Sequence, residues 1–144
     1  MKELDRRQLR ETLRASIGDA RYFRFIARGK EHRLQWWQER VWDSFVAEHP
    51  QFACAPEQLL AIVRWCPLHD GPFQRGMTGL FFDSCVDPGY SSAKPQWFPY
   101  ADSGRVIDAS LPCDGIADGW FCLRCRQAEQ HWIIHHGSKQ PSST

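Results

Sequence analysis

Cys66-Pro67-Leu68-His69 and Cys122-Leu123-Arg124-Cys125 are the two stretches on which the fold of this chain turns. Each sets two metal-ligating side chains three residues apart, so that one tight turn aims both of them to the same side. Two such turns brought together supply the four corners of a tetrahedral site, which zinc fills with Cys and His ligands at about 2.0–2.3 Å. The spacing therefore predicts a zinc site built from Cys66, His69, Cys122 and Cys125. Backbone N–H groups inside such turns can donate to the sulfur atoms and spread the thiolate charge. Three thiolates around a divalent ion leave a net charge of about −1, which Arg64, Arg124 and Arg126, close by in sequence, can offset. Gly71 offers the backbone freedom for a tight path out of the first turn.

Other partitions of the same residues are possible. The two pairs are separated by 52 residues, longer than in compact zinc fingers, and the cysteines could be no more than small buried hydrophobes, with His69 a loop histidine. His131 and His135, four apart on a predicted helix, could join Cys122 and Cys125 in a Cys2His2 set. Only five residues would then lie between Cys125 and His131, against about 12 in a zinc finger. Cys113 could replace one ligand but reads more simply as a buried thiol. Cys54 and Cys85 have no neighbour at ligand spacing and read as core or loop residues.

Working outward, the helix at 56–65 delivers the chain into the first turn. Pro56 suits its first position, Glu57 its positive end, and Leu59, Leu60, Ile62 and Val63 its buried side. Upstream, Leu34, Trp37, Val41, Trp42, Phe45 and Val46 form one stripe at helical spacing over 34–48, with Trp36 nearly opposite, and Pro50 stops that helix. Residues 2–17 read as a charged helix with Leu9, Leu13 and Ile17 on one face, ended by Gly18-Asp19. The alternation of Phe23 and Phe25 about Arg24 predicts a short strand at 21–28, turned by Gly29-Lys30. Between the metal-binding turns helical periodicity vanishes and Gly and Pro are frequent. That segment reads as a long loop insertion with short strands at 79–82 and 105–107, and with turn material at 87–89 and 91–95. A strand at 119–121 leads into the second turn, and a last helix over 124–136 carries Cys125, Ala128, Trp132 and His136 on one face, capped by Gly137. The expected class is α+β: a small zinc-ribbon-like core with short strands and a long loop insertion, flanked by N-terminal and C-terminal helices. The expected divisions are a basic N-terminal helix and strand at 1–30, a helix plus zinc-ribbon-like domain at 31–137, and a disordered tail at 138–144.

The chain has 144 residues, enough for one domain or one domain with a helical extension. Its aromatic content of 13%, with seven Trp and nine Phe, can build a core from large rings. No run approaches the roughly 20 apolar residues that span a bilayer, and no apolar stretch follows the charged start. The expected compartment is cytoplasmic, where thiols stay reduced and the six cysteines are metal ligands or buried thiols. Net charge is only +1, yet residues 1–40 carry 11 basic against six acidic residues, and residues 66–118 carry three against seven. That asymmetry reads either as a solvated helix face with an acidic complement or as a basic surface for an anionic partner.

At this point the chain resembles a family of small uncharacterised bacterial zinc-ribbon-like proteins. The residues that carry the likeness are Trp36-Trp37-Gln38-Glu39-Arg40, then Cys66-Pro67-Leu68-His69-Asp70-Gly71, then Phe98-Pro99-Tyr100-Ala101-Asp102-Ser103 and Cys113. Phe121-Cys122, Cys125-Arg126-Gln127-Ala128-Glu129 and Trp132 complete it, so that it spans residues 35–133. Asp70 between His69 and Gly71, and Leu111-Pro112 before Cys113, depart from the pattern. The resemblance implies a zinc site on Cys66, His69, Cys122 and Cys125 and implies no known activity.

Four protein ligands fill the shell of a zinc ion, whereas catalytic zinc keeps a position open for water. No H-E-x-x-H, deaminase, P-loop, nucleophile-elbow or dinucleotide-binding pattern occurs. The loop aspartates Asp83, Asp87, Asp102 and Asp108 read as turn formers. The leading expectation is a non-enzymatic zinc-binding protein-interaction module, with Trp36, Trp97 and Tyr100 as candidate anchors. The alternative is a nucleic-acid-binding module in which Arg21, Arg24, Arg28, Lys30 and Arg33 meet phosphates of RNA or DNA while Tyr22, Phe23 and Phe25 stack on bases. An enzyme of unknown reaction is the least supported reading.

Overall fold

The computed structural model describes residues 2–27, 33–79, 81–82, 88–102, 106–107 and 116–136. It divides into two compact units, Met1–Trp65 and Cys66–Thr144. The expected tail at 138–144, Gly137, the Gly29-Lys30 turn, Arg28, Asp83, Asp87, Asp108, Cys85 and Cys113 lie outside the described residues. The α+β class holds, with helices predominating and strands short.

The first unit is helical. Its elements are α1 (Glu3–Ile17), α2 (Asp19–Ala27), α3 (Trp36–Glu48), a 3-10 turn at Pro50–Phe52 and α4 (Pro56–Val63). Leu9 and Leu13, one helical turn apart, are fully buried, as are Phe25, Ile26, Leu59 and Val63. Gly18, at φ 86°, ends α1 by donating its N–H to Arg14 O at 2.9 Å, a left-handed conformation that glycine adopts without a Cβ penalty. The strand expected at 21–28 is instead α2. Tyr22, Phe25 and Ile26 are buried while Arg21 and Arg24 are exposed. This is the spacing of a helix, and it outweighs the two-residue alternation of Phe23 and Phe25.

In α3 the apolar stripe holds at its centre. Trp42 and Phe45 are buried and stack at 5.4 Å, and Phe45 continues to Phe52 at 6.0 Å. Trp36 lies on the outer face, 70% exposed. Gln38 is fully buried, its amide donating to Phe25 O at 2.9 Å and its carbonyl accepting from Gln35 N at 2.8 Å. It thus caps α3 and satisfies a carbonyl at the end of α2 with one side chain. Arg10 of α1 reaches Ile62 O at 3.1 Å and lies over the Trp65 ring, which ties α1 to the end of α4.

The boundary between the units falls within β1 (Trp65–Cys66), which pairs with β2 (Gly71–Pro72) across the first metal-binding turn. β3 (Gln74–Gly79) pairs antiparallel with β6 (Ile116–Phe121), Gln74 opposite Phe121 and Gly76 opposite Gly119. β4 (Phe81–Phe82) and β5 (Val106–Ile107) form a short parallel pair. β6 runs through Cys122 into α6 (Leu123–His136).

The short strands expected at 79–82 and 105–107 are present as β4 and β5, but the intervening segment is more ordered than a loop insertion: β3 runs over Gln74–Gly79, and α5 (Pro88–Trp97) forms where turn material was expected. Pro88 occupies the first helical position, where a missing N–H costs nothing, and Pro95 falls in the last turn. Packing overrides the weak propensity. Tyr90 and Ala93 of α5 are buried, and Tyr90 meets the rings of Phe98 at 5.4 Å and Trp132 at 5.6 Å.

Candidate metal centre

Cys66 enters the site at the end of β1, and the chain then folds back on itself through residues 67–70. Asp70 N donates to Cys66 O at 2.8 Å, closing the turn. The left-handed residue is Asp70, at φ 51°, rather than Gly71. Aspartate tolerates this conformation better than most residues, because its short polar side chain can hydrogen-bond locally.

The second turn stands at the start of α6. Cys122 N donates to Tyr100 O at 2.8 Å, and Cys125 N donates to Cys122 Sγ at 3.4 Å, the amide-to-sulfur bond expected of such a turn. Arg126, next to Cys125, donates from Nε to Ala101 O at 3.2 Å and lies over the Phe121 ring, 3.4 Å from its centroid. The residue before the turn and the residue after it are thus clamped together, and both are referred to the backbone at 100–101. Arg124 is exposed.

These elements bring the four predicted residues into one cluster. Their ligand atoms all lie within 4.8 Å of one another. Cys66 Sγ stands 3.7 Å from Cys125 Sγ. His69 Nδ1 stands 3.7 Å from Cys66 Sγ, 3.6 Å from Cys122 Sγ and 3.3 Å from Cys125 Sγ. The three cysteines are buried and His69 is half-buried. The group could hold a metal ion. His131 and His135 lie outside this cluster, so the Cys2His2 partition is not the one formed. Cys54 is a half-buried free thiol, which burial pushes up.

Electrostatics alone cannot hold three thiolates here. The Cys66 thiol is lowered to about 5, first by the hydrogen bond from Cys125 and further by the N–H of His69. Cys122 is pushed up by burial, and Cys125 is pushed up by its bond to Cys66 and by burial. Without a cation a negative charge is favoured on Cys66 and opposed on Cys122 and Cys125. A second and third need a cation among the sulfurs, which is the chemistry of a thiolate metal site.

Sequence reasoning missed the polar residues that brace this centre. Tyr90 OH donates to the carboxylate of Glu129, joining α5 to α6. Asp102, expected only as a loop turn former, is also buried and bonded to Lys94 at 2.6 Å. Spacings of 39 and eight residues leave no local signal for either pair. Of the aromatic anchors, Trp36 and Trp97 are 70% and 61% exposed, whereas Tyr100 is buried. In the basic stretch Tyr22 and Phe25 are core residues and Phe23 is half-buried, so the rings expected to stack on bases are turned inward.

A groove of about 630 Å³ lies beside His69, between Leu68, Trp97, Phe98 and the face of α6 that carries Ala128, His131, Trp132 and His135. No helix among the described residues is long and apolar enough to cross a membrane. Compared with known proteins, the chain matches no family model, no curated protein and no solved structure.

Proposed function

We propose that Cys66, His69, Cys122 and Cys125 bind one zinc ion whose role is structural, and that the unit built on it is a protein-interaction module. The spacing of the ligand atoms carries this reading. A tetrahedral zinc ion with Zn–S of about 2.3 Å and Zn–N of about 2.0–2.1 Å sets sulfur pairs about 3.8 Å apart and sulfur–nitrogen pairs about 3.6 Å apart. The Cys66–Cys125 sulfur pair stands at 3.7 Å, the three sulfur–nitrogen pairs at 3.3–3.7 Å, and all four ligand atoms lie within 4.8 Å of one another. Thiolates and imidazole are also the donors that borderline-soft zinc prefers over oxygen-seeking magnesium or calcium.

A structural role follows from the same shell. Four protein ligands leave no position for a water or a substrate, and three thiolates donate enough charge to blunt the ion as a Lewis acid. The ion instead joins the β1–β2 turn to the start of α6, across more than fifty residues of chain. The core resembles a zinc ribbon in its first turn. Its second ligand pair opens a helix, where the positive end of the helix dipole favours thiolate.

The interaction role is supported by large apolar side chains left in solvent on the zinc-bearing unit: Leu68, Trp97 and Ile134 at 49%, 61% and 79% exposure. Exposed Trp is a frequent interface anchor. Elemental analysis of the purified protein tests the base of this reading, with one zinc per chain expected and none in Cys122→Ser. A wild-type protein free of zinc, or one that keeps its thermal stability after exhaustive chelation, contradicts it. A Leu68→Asp/Trp97→Ala protein is expected to keep its zinc while losing whatever co-purifies with the wild type.

A further inference from the structure

We infer that His131 and His135 form a second, separate site for a divalent transition-metal ion on the outer face of α6. The two histidines stand one helical turn apart, both exposed, with ring centroids 4.1 Å apart and planes inclined at 40°. An i, i+4 histidine pair on one helix face is a recognised bidentate arrangement for such ions.

The tautomer of His135 is fixed by its surroundings. Its Nδ1 lies 2.9 Å from His131 O, and a carbonyl can only accept, so Nδ1 carries the proton. The lone pair of the neutral ring therefore sits on Nε2, at the outer end of the side chain. Ligating histidines are commonly braced in this way by a backbone carbonyl on the other nitrogen, which sets ring orientation and raises basicity. His136 is braced likewise, Nδ1 to Trp132 O at 2.9 Å, but its ring stacks on Trp132 at 4.4 Å, so it belongs to the aromatic face beside the pair.

Two further features favour a cation at this place. His135 and His136 stand in the last turn of α6, the negative end of its dipole, and that turn holds no Lys or Arg. The groove along the helix, walled by Leu68, Trp97 and Trp132, also leaves one side of the pair apolar. Two imidazoles with water in the remaining positions suit Cu²⁺, Ni²⁺ or Zn²⁺ rather than Mg²⁺ or Ca²⁺. The pair differs from the cysteine cluster in ligands, in exposure and in expected affinity.

The test is titration of Ni²⁺ into tag-free protein already carrying one equivalent of zinc, followed by calorimetry and by absorption. The expected result is one further equivalent of nickel, bound without thiolate-to-nickel charge-transfer absorption. Binding should weaken about tenfold or more in His131→Ala and in His135→Ala and stay unchanged in His136→Ala, with all three variants retaining their zinc. The absorption readout separates this site from the cluster, because nickel on Cys66, Cys122 or Cys125 shows that band. Absence of a second equivalent, uptake that carries the band, or uptake that persists in the His131→Ala/His135→Ala double variant overturns the inference.

Discussion

Proton placement among Cys66, Cys122 and Cys125 decides how the metal centre responds to pH. Cys66 is already lowered to about 5, whereas Cys122 and Cys125 are pushed up. Metal binding near pH 7.5 must then displace the protons of the latter two, a release of about two per ion. Calorimetry in buffers of different ionisation enthalpy measures this number, and a release near zero would show that the thiols do not ligate. In the metal-free fold the lowered Cys66 thiol contributes stability that is lost as pH falls through about 5, while the raised Cys122 and Cys125 thiols take stability away above their ordinary 9.0. Protons compete with the ion for all three sulfurs, so acidification from neutral is expected to release the ion and loosen the second unit. Asp70 is the other residue with an individual role. At φ 51° a β-branched side chain is strained, so Asp70→Val is expected to cost about 1–2 kcal/mol in thermal unfolding, while Asp70→Gly is neutral or stabilising.

Among the secondary-structure elements, the junctions hold the structure more than the elements do. One buried side chain, Gln38, joins α3 to α2 by its bond to Phe25 O and caps α3 by accepting from Gln35 N. Gln38→Ala removes both and strands the Phe25 carbonyl, at an expected cost of about 2–3 kcal/mol. Gln38→Glu should be no milder, since it offers no amide donor to that carbonyl. Gly76 on β3 matters for a different reason: a Cβ there would stand 3.1 Å from the Phe121 ring. Phe121 carries Arg126 on its face and precedes Cys122, so Gly76→Ala is expected to displace the second turn and weaken metal retention more than it lowers helix content. Chelator competition against circular dichroism checks that difference.

α1, α3, α4 and α6 announced themselves by apolar residues at helical spacing with Gly or Pro at their ends. The four ligands announced themselves because each turn is local. Over α2 the three-residue alternation of Phe23, Arg24 and Phe25 imitates a strand period, although Tyr22, Phe25 and Ile26 are buried at helical spacing. Over α5 Pro88, Gly89 and Pro95 mask a helix that exists through the burial of Tyr90 and Ala93. The Tyr90–Glu129 and Lys94–Asp102 pairs depend on tertiary placement that no local pattern encodes.

Across the whole molecule, the two units draw on different sources of order. Residues 1–65 bury Leu, Ile and Phe side chains from four helices. Residues 66–136 contain two- and six-residue strands whose turns meet at the cysteine cluster. Structural zinc supplies about 10–16 kcal/mol in small peptides, comparable to the whole stability of a domain. Chelation is therefore expected to abolish amide protection in β3, β6 and α6 while α1 and α4 keep theirs, as hydrogen exchange would show. Uniform loss across the chain, or none, would contradict that division.

X-ray absorption at the zinc edge of the purified protein reads the ligand shell itself. One zinc per chain is expected, with three sulfur neighbours at about 2.3 Å and one nitrogen at about 2.0–2.1 Å. A shell dominated by oxygen or nitrogen, or a protein that carries no zinc, would contradict it.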